Sequence, residues 1–353
     1  MSSERRALIV GTGLIGGSIG LALRERGWHV TGRDVDESRA TRALELGALD
    51  AVGDDADAEI VFVATPVGAI ATEARAALGS RAVVTDVGGV KAPIVDAMGD
   101  ARFVGGHPMA GSEQEGIDGA DAGLFEGATW VLTPTDDTDA GAYTLVRSVV
   151  SSLGAEVVAI RPEDHDALVA VVSHVPHLTA AALMQLAASG AEEHAALLRL
   201  AAGGFRDMTR VAAGHPGIWP DICAENRDAI VAGIDGLQAA LTHMRALVND
   251  GDRDALLEWL EGARRARINL PVRAPRPEEL AEIRVPVPDR PGVLAEVTTL
   301  VSEIGVNVFD FETVHSSAGD RGVIVFLVDA ASADLVRGAL MARGYKPSAH
   351  PLT

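Results

Sequence analysis

The feature that most constrains the fold stands near the start of the chain. An apolar run at 7–10 leads straight into Gly11-Thr12-Gly13-Leu14-Ile15-Gly16, and this GxGxxG opens a helix ending near Gly27. Each glycine has a separate reason: Gly11 permits a tight turn, Gly13 lets the backbone approach a pyrophosphate, and Gly16 lets helix and strand pack closely. The helix N-terminus, with Leu14 and Ile15 in its first turn, then offers N–H groups to the phosphates. Asp34 follows 18 positions after Gly16, at the end of a strand-like run at 28–34, where a carboxylate binds a ribose 2′-hydroxyl. It would repel a 2′-phosphate, so the pattern points to NAD, although the neighbouring Arg33 favours NADP. The plainer alternative is a glycine-rich turn that binds nothing, beside a surface aspartate.

Further runs at 59–64, 82–86, 103–106, 130–133 and 156–160 alternate with helical stretches. That alternation predicts an α/β Rossmann domain, a parallel sheet covered by helices, over 1–161. From Pro162 the strand signal stops, and long Ala- and Leu-rich stretches at 163–189, 192–202, 218–248 and 252–267 predict an all-α domain over 162–270. Prolines 271, 275 and 277 then mark an extended linker over 271–280, because proline at that density disallows helix. The remainder, 281–353, reads strand at 282–286, helix at 292–304, strands at 306–313 and 322–329, helix at 333–343 and strand at 348–352. This order, βαββαβ, predicts a small α+β domain.

Composition narrows the partners. Fifty acidic residues against 30 basic ones give a formal charge of −20, a field that repels nucleic acid and anionic membranes. An anionic small molecule is admitted only where cations are focused in a cleft. No apolar run approaches the roughly 20 residues of a membrane helix, and the N-terminus leads into a strand rather than a signal peptide. Cys223 is the single cysteine, so no internal disulfide forms, and a cytoplasmic enzyme is expected.

In open α/β sheets, ligands bind beyond the carboxyl ends of the strands. Three segments end there: Ala64-Thr65-Pro66, Thr85-Asp86-Val87-Gly88-Gly89-Val90-Lys91, and Gly106-His107-Pro108-Met109-Ala110-Gly111. Thr65, Pro66 and Gly88 are therefore expected to border the cofactor, and His107 to emerge beside the nicotinamide. A neutral imidazole there accepts a hydroxyl proton while hydride leaves the same carbon; a hydrogen-bonded structural histidine is the alternative.

These residues resemble the prephenate/arogenate dehydrogenase family. HPMAG followed by Ser112 and Glu113 is similar to its catalytic segment. Ser173-His174-Val175-Pro176-His177 resembles its SHxPH motif, and Phe205 to Ala212 with Trp219-Pro220-Asp221-Ile222 and Asn226 resembles its substrate-binding region. The likeness covers about three quarters of the chain. It implies oxidative decarboxylation of prephenate with NAD, in a homodimer formed through the helical domain. On that resemblance His107 assists deprotonation of the substrate hydroxyl, and Arg210 clamps the ring carboxylate with its bidentate fork. Arg206, Glu113, Asp207 and Trp219 shape the pocket, and Ser173, His174 and His177 face the substrate. His174 and His177, at i and i+3, invite a metal, but helical zinc pairs use i, i+4 and a third ligand is wanting, so no metal is expected.

One position departs from the family. Where it reads DxGSVK with a serine, this chain has Gly89, which leaves arogenate and 4-amino-4-deoxyprephenate open as substrates. The β-hydroxyacid dehydrogenases share the domain pair but use a helical lysine. The two lysines here, Lys91 and Lys346, both lie outside the helical domain.

At the C-terminus, Asp289-Arg290-Pro291-Gly292-Val293-Leu294 and then Gly305-Val306-Asn307-Val308 resemble an ACT domain, a family that binds amino acids between domains. The resemblance makes Gly292 and Asn307 the effector-site residues; a purely structural, dimerising role is the alternative.

Overall fold

Strand β1 (Arg6–Val10) is buried on both faces, as the centre of a helix-covered sheet requires. The structure, a computed structural model, describes residues 5–112, 114, 116–193, 200–269, 280–288, 290–315 and 321–351. The expected linker around Pro271 to Pro277, and Glu113, lie outside the described residues. Two compact units divide the chain, residues 1–242 and 243–353.

In the first unit, β1 is followed by α1 (Leu14–Glu25), β2 (His29–Arg33), α2 (Glu37–Glu45), β3 (Ala51–Val52), β4 (Ile60–Val63), α3 (Val67–Ala77), β5 (Val83–Asp86), α4 (Ala92–Met98), β6 (Phe103–Pro108), β7 (Thr129–Thr133), α5 (Ala140–Ser152) and β8 (Glu156–Ala159). The strand order is β3-β2-β1-β4-β5-β6-β7-β8. Alternation along the strands feeds two cores. Ala7, Ile9, Ile60 and Phe62 pack with Trp130 on one face, and Leu8, Val10, Val61 and Val63 pack with Ile70 and Val84 on the other. The sheet is parallel, as expected, with one exception: β7 runs antiparallel to β6, Gly106 opposite Leu132 and His107 opposite Val131. A parallel return needs a crossover of helical length, and between β6 and β7 the described residues hold only a 3-10 turn, Ile117–Gly119.

The helical part begins with α6 (Pro162–Val169), a π-helical turn (Ala170–His174) and α7 (Val175–Glu193). Pro176 explains the wide turn: it has no N–H for the carbonyl of residue 172, and its ring crowds that carbonyl. Val175 donates its N–H to Ala170 instead, an i→i−5 bond. There follow α8 (Gly203–Thr209), a 3-10 turn (Arg210–Ala213), α9 (Trp219–Glu225) and α10 (Arg227–Asp250). The helix expected at 218–248 is thus broken at Asn226. The stretch Pro162–Gly190 is long and apolar enough to cross a membrane, with a mean hydropathy of 1.6. This corrects the expectation that no segment reaches that length. The stretch nonetheless buries His165, Asp166 and His174 in hydrogen bonds within the fold.

The second unit holds α11 (Arg253–Ile268), β9 (Leu280–Pro288), α12 (Val293–Glu303), β10 (Asp310–His315), β11 (Arg321–Asp329), α13 (Ala333–Ala342) and β12 (Ser348–Pro351). Its antiparallel sheet is ordered β10-β11-β9-β12. Ile283, Val285 and Val287 alternate into a core with Val297, Val301, Val336 and Leu340.

Candidate active site

The sheet changes direction between β1 and β4, the switch point where a crevice opens at the strand ends. Gly11 is in the left-handed region (φ +93°), and a Cβ there would meet the Ala64 carbonyl at 2.5 Å. A Cβ on Gly16 would strike the Gly11 carbonyl at 2.0 Å, whereas one on Gly13 meets nothing within 4 Å. Turn and close packing thus account for Gly11 and Gly16, and Gly13 faces open space at the N-terminus of α1. The first turn of α1, starting at Leu14 and Ile15, holds no acidic residue, leaving its N–H groups to an anion. Asp34, just past β2, accepts from the Thr12 N–H (2.8 Å) and the Asp36 N–H (3.0 Å), which fixes its carboxylate against the glycine loop. Arg33 is engaged by Asp54 at 2.8 Å and Glu73 at 2.7 Å; this cation is spent on carboxylates rather than reserved for a 2′-phosphate. At the end of β4, Thr65 Oγ1 is buried without a hydrogen-bond partner, and Pro66 caps α3. An open cradle at Gly13, unmatched helix N–H groups and an orphaned hydroxyl fit NAD.

The reacting face is built on a buried ion pair. Lys91 and Asp86 are both 0% exposed, and the Lys91 ammonium donates to Asp86 Oδ2 and to the Gly106 carbonyl (2.9 Å). Asp86 accepts in turn from the N–H groups of Gly106 (3.1 Å) and Gly88 (2.9 Å). Gly106 is therefore gripped at both its N–H and its C=O, and the next residue, His107, projects from a fixed strand end. Its Nδ1 lies 2.9 Å from Nε2 of His165. The imidazole titrates well below its ordinary 6.5, first because burial disfavours the cation and then because His165, Lys91 and His174 stand nearby. Gly89 faces the other side of the ring, where a Cβ would lie 3.8 Å from His107 Cε1 and Nε2. A serine at this position would reach the imidazole; glycine leaves that room open.

The SHxPH segment supplies a second wall. His174 is buried and accepts at Nδ1 from the Asn226 amide (3.2 Å). His177 stacks on Trp219 with centroids 3.8 Å apart, and His174 meets the same indole edge-on at 6.0 Å. Burial lowers the pKa of both histidines. Ser173 is half-buried in the π turn. Helix α9, carrying Trp219, reaches the nucleotide side, where a Cβ on Gly68 would lie 3.0 Å from Asp221 Oδ2. Arg206, on α8, and Arg210, opening the 3-10 turn behind it, are exposed. That turn lies against α7, since Gly214, its C-cap, comes within 3.7 Å of His177 Cε1 when a Cβ is added.

His165 and Asp166 are two further residues of the site and belong to no motif in the sequence. They are buried at the start of α6, and His165 Nδ1 lies 2.7 Å from Asp166 Oδ1. Asp166 also accepts from the N–H groups of Lys91 (2.7 Å) and Ala92 (2.8 Å), and its carbonyl accepts from Asn226 (2.9 Å). No local signal marks them, because a helix start rich in acidic residues reads as solvated.

In the second unit Gly292 caps α12 with φ +87°. It borders a groove of about 220 Å³ lined also by Val287, Thr313, Gly322 and Ile324. Asn307 is exposed in the loop before β10 and does not line that groove.

Three family models match the chain: prephenate dehydrogenase, nucleotide-binding domain, over residues 19–159; prephenate dehydrogenase, dimerization domain, over 161–262; and ACT domain, over 281–344. Across 334 residues the chain is 33% identical to the prephenate dehydrogenase of Bacillus subtilis (strain 168), covering 90% of each protein. Its fold is similar to the crystal structure of A. aeolicus prephenate dehydrogenase in complex with hydroxyphenyl propionate and NAD+, with a TM-score of 0.72 and 32% identity over 76% of this chain and 99% of that one. The Synechocystis arogenate dehydrogenase matches with a TM-score of 0.66 and 33% identity over 74% of this chain and 98% of that one.

Proposed function

The chain belongs to the prephenate dehydrogenase family, and we propose that it converts prephenate to 4-hydroxyphenylpyruvate and carbon dioxide with NAD, a step of tyrosine biosynthesis. The observation that carries the reading is His107: a half-buried imidazole near the end of β6, its pKa held below the ordinary value and its Nδ1 committed to His165. NAD, when bound along Gly11–Gly16, Asp34, Thr65, Pro66 and Gly88, supplies the hydride acceptor. His107 takes the proton of the hydroxyl on the ring carbon that loses hydride, which raises electron density on that carbon as the C–H bond breaks. Loss of carbon dioxide from the opposite ring carbon leaves its bonding electrons in the ring and completes the aromatic product. The prephenate dianion and NAD+ yield the 4-hydroxyphenylpyruvate monoanion, carbon dioxide and NADH, so no net proton is released. The hydroxyl that gives up its proton is protonated again in the phenol, and His107 must hold the proton and return it.

Arg210 clamps the ring carboxylate and Arg206 adds positive charge at the mouth, offsetting the long-range field of a strongly acidic chain. Ser173, His174, His177 and Trp219 form the wall against which the ring lies. We read the helical region as the interface of a homodimer: Leu168, Val171, Val172 and Leu186 are exposed on α6, the π turn and α7, and a partner's matching face would cover them. The ACT domain takes an amino-acid effector in the groove beside Gly292. The reading places the enzyme in the cytoplasm. The test is the ultraviolet absorbance of NADH, followed with prephenate, arogenate and 4-amino-4-deoxyprephenate against NAD and NADP. Fastest turnover of prephenate with NAD is expected, and a preference for either other substrate would reassign the role of the space at Gly89.

A further inference from the structure

We propose that the base is a chain of three residues, His107–His165–Asp166: as His107 Nε2 takes the substrate's hydroxyl proton, its Nδ1 proton passes to Nε2 of His165, whose own Nδ1–H stays on the Asp166 carboxylate. The inference deepens the functional reading and rests on it for the placement of His107 at the substrate hydroxyl.

The direction of every bond follows from Asp166. Its carboxylate accepts two backbone N–H groups, Lys91 and Ala92, so toward His165 Nδ1, 2.7 Å away, it is again the acceptor. His165 therefore donates from Nδ1 and presents a lone pair at Nε2. The 2.9 Å contact with His107 then has one arrangement, His107 Nδ1–H donating to His165 Nε2. What remains on His107 is the Nε2 lone pair, on the side of the ring that Gly89 leaves open. One buried carboxylate thus sets two tautomers in series and aims a base at the crevice. The rings meet edge-on at 75° with centroids 5.1 Å apart, and the His165 side chain is wholly buried, so no water competes for the contact.

Charge explains why the proton passes on. An imidazolium on His107 is opposed by burial and by Lys91, with Asp86 already neutralised by that lysine, and by His165 and His174 from the helical side. An imidazolium on His165 has the Asp166 carboxylate against its Nδ1. After the shift His107 is again neutral, now protonated at Nε2 and free at Nδ1, and the positive charge lies next to its counter-charge. The reaction releases no net proton, so the chain serves as a closed reservoir: the same two transfers run backward as the phenol forms, with no route to solvent required.

The test uses the full-length protein. Nitrogen-15 NMR of the resting enzyme labelled in histidine is expected to find His107 and His165 both protonated at Nδ1 and bare at Nε2; a proton on His107 Nε2 overturns the chain. His165→Gln keeps an acceptor for the His107 N–H but cannot take its proton. It should retain the His107 tautomer and the KM for prephenate within about two-fold, while kcat falls on the order of 100-fold, the lower end of what a positioned proton acceptor contributes. Full kcat in that variant also overturns the proposal, since a bond that only orients would survive the change. Absence of prephenate turnover in the wild type would instead sink the functional reading, and the tautomers, read without substrate, would still decide the chain.

Discussion

Lys91→Met is the perturbation whose cost follows most directly from the structure. It removes a cation that is 0% exposed and leaves Asp86, also 0% exposed, as an uncompensated charge in the core. Breaking one side of such a pair costs about 3–5 kcal/mol. The double variant Asp86→Asn/Lys91→Met removes the orphaned charge and leaves chiefly the Gly106 carbonyl without its donor, a loss of about 1–3 kcal/mol. The two changes should therefore be strongly non-additive, with the double variant more stable than Lys91→Met alone. Urea unfolding followed by tryptophan fluorescence reads this, because Trp28 and Trp130 are buried in the nucleotide-binding core. The same substitution removes one of the neighbours that, after burial and His165, lower the His107 pKa, so the acid limb of kcat/KM should move to higher pH. A Lys91→Met protein within about 1 kcal/mol of wild type, or a double variant no better than the single, would refute the clamp.

Other outcomes follow from the same geometry. His107, His174 and His177 all have pKa values below their ordinary 6.5 in the folded protein, so below that pH the unfolded chain binds more protons; stability should be full above it and decline as pH falls through it, and thermal melts that rise on acidification would contradict this. Arg210→Gln should raise the KM for prephenate by about 30- to 5,000-fold, the equivalent of roughly 2–5 kcal/mol; steady-state kinetics showing a loss confined to kcat would remove Arg210 from the carboxylate. Gly292→Val strains a backbone at φ +87° and narrows the groove beside it, so activity should persist while any response to aromatic amino acids is lost, and an unchanged response would place the effector elsewhere.

What was legible in the sequence was what is local. The glycine loop, Asp34 and the βαββαβ order are set by residues close in the chain, where one turn or one alternation decides the structure. His107 was placed from the strand that carries it. What escaped depends on distant packing. His165 and Asp166 sit in Pro162-Glu163-Asp164-His165-Asp166, which reads as a solvated helix start, and only contact with the loop at Lys91 and Ala92 turns its last two residues inward. Asn226 interrupts what reads as one helix because its amide serves Asp166 and His174 at once. The π turn before Pro176 and the reversal of β7 likewise follow from backbone bonding that periodicity does not encode.

The central claim is that His107 is the group that takes the hydroxyl proton during hydride transfer from prephenate to NAD. His107→Asn keeps a polar side chain of similar size and removes the base, so single-turnover NADH formation from enzyme saturated with prephenate and NAD isolates that step. The account predicts prephenate binding close to wild type and a hydride-transfer rate lower by about 10²- to 10⁴-fold. A variant that forms NADH at the wild-type rate would contradict it.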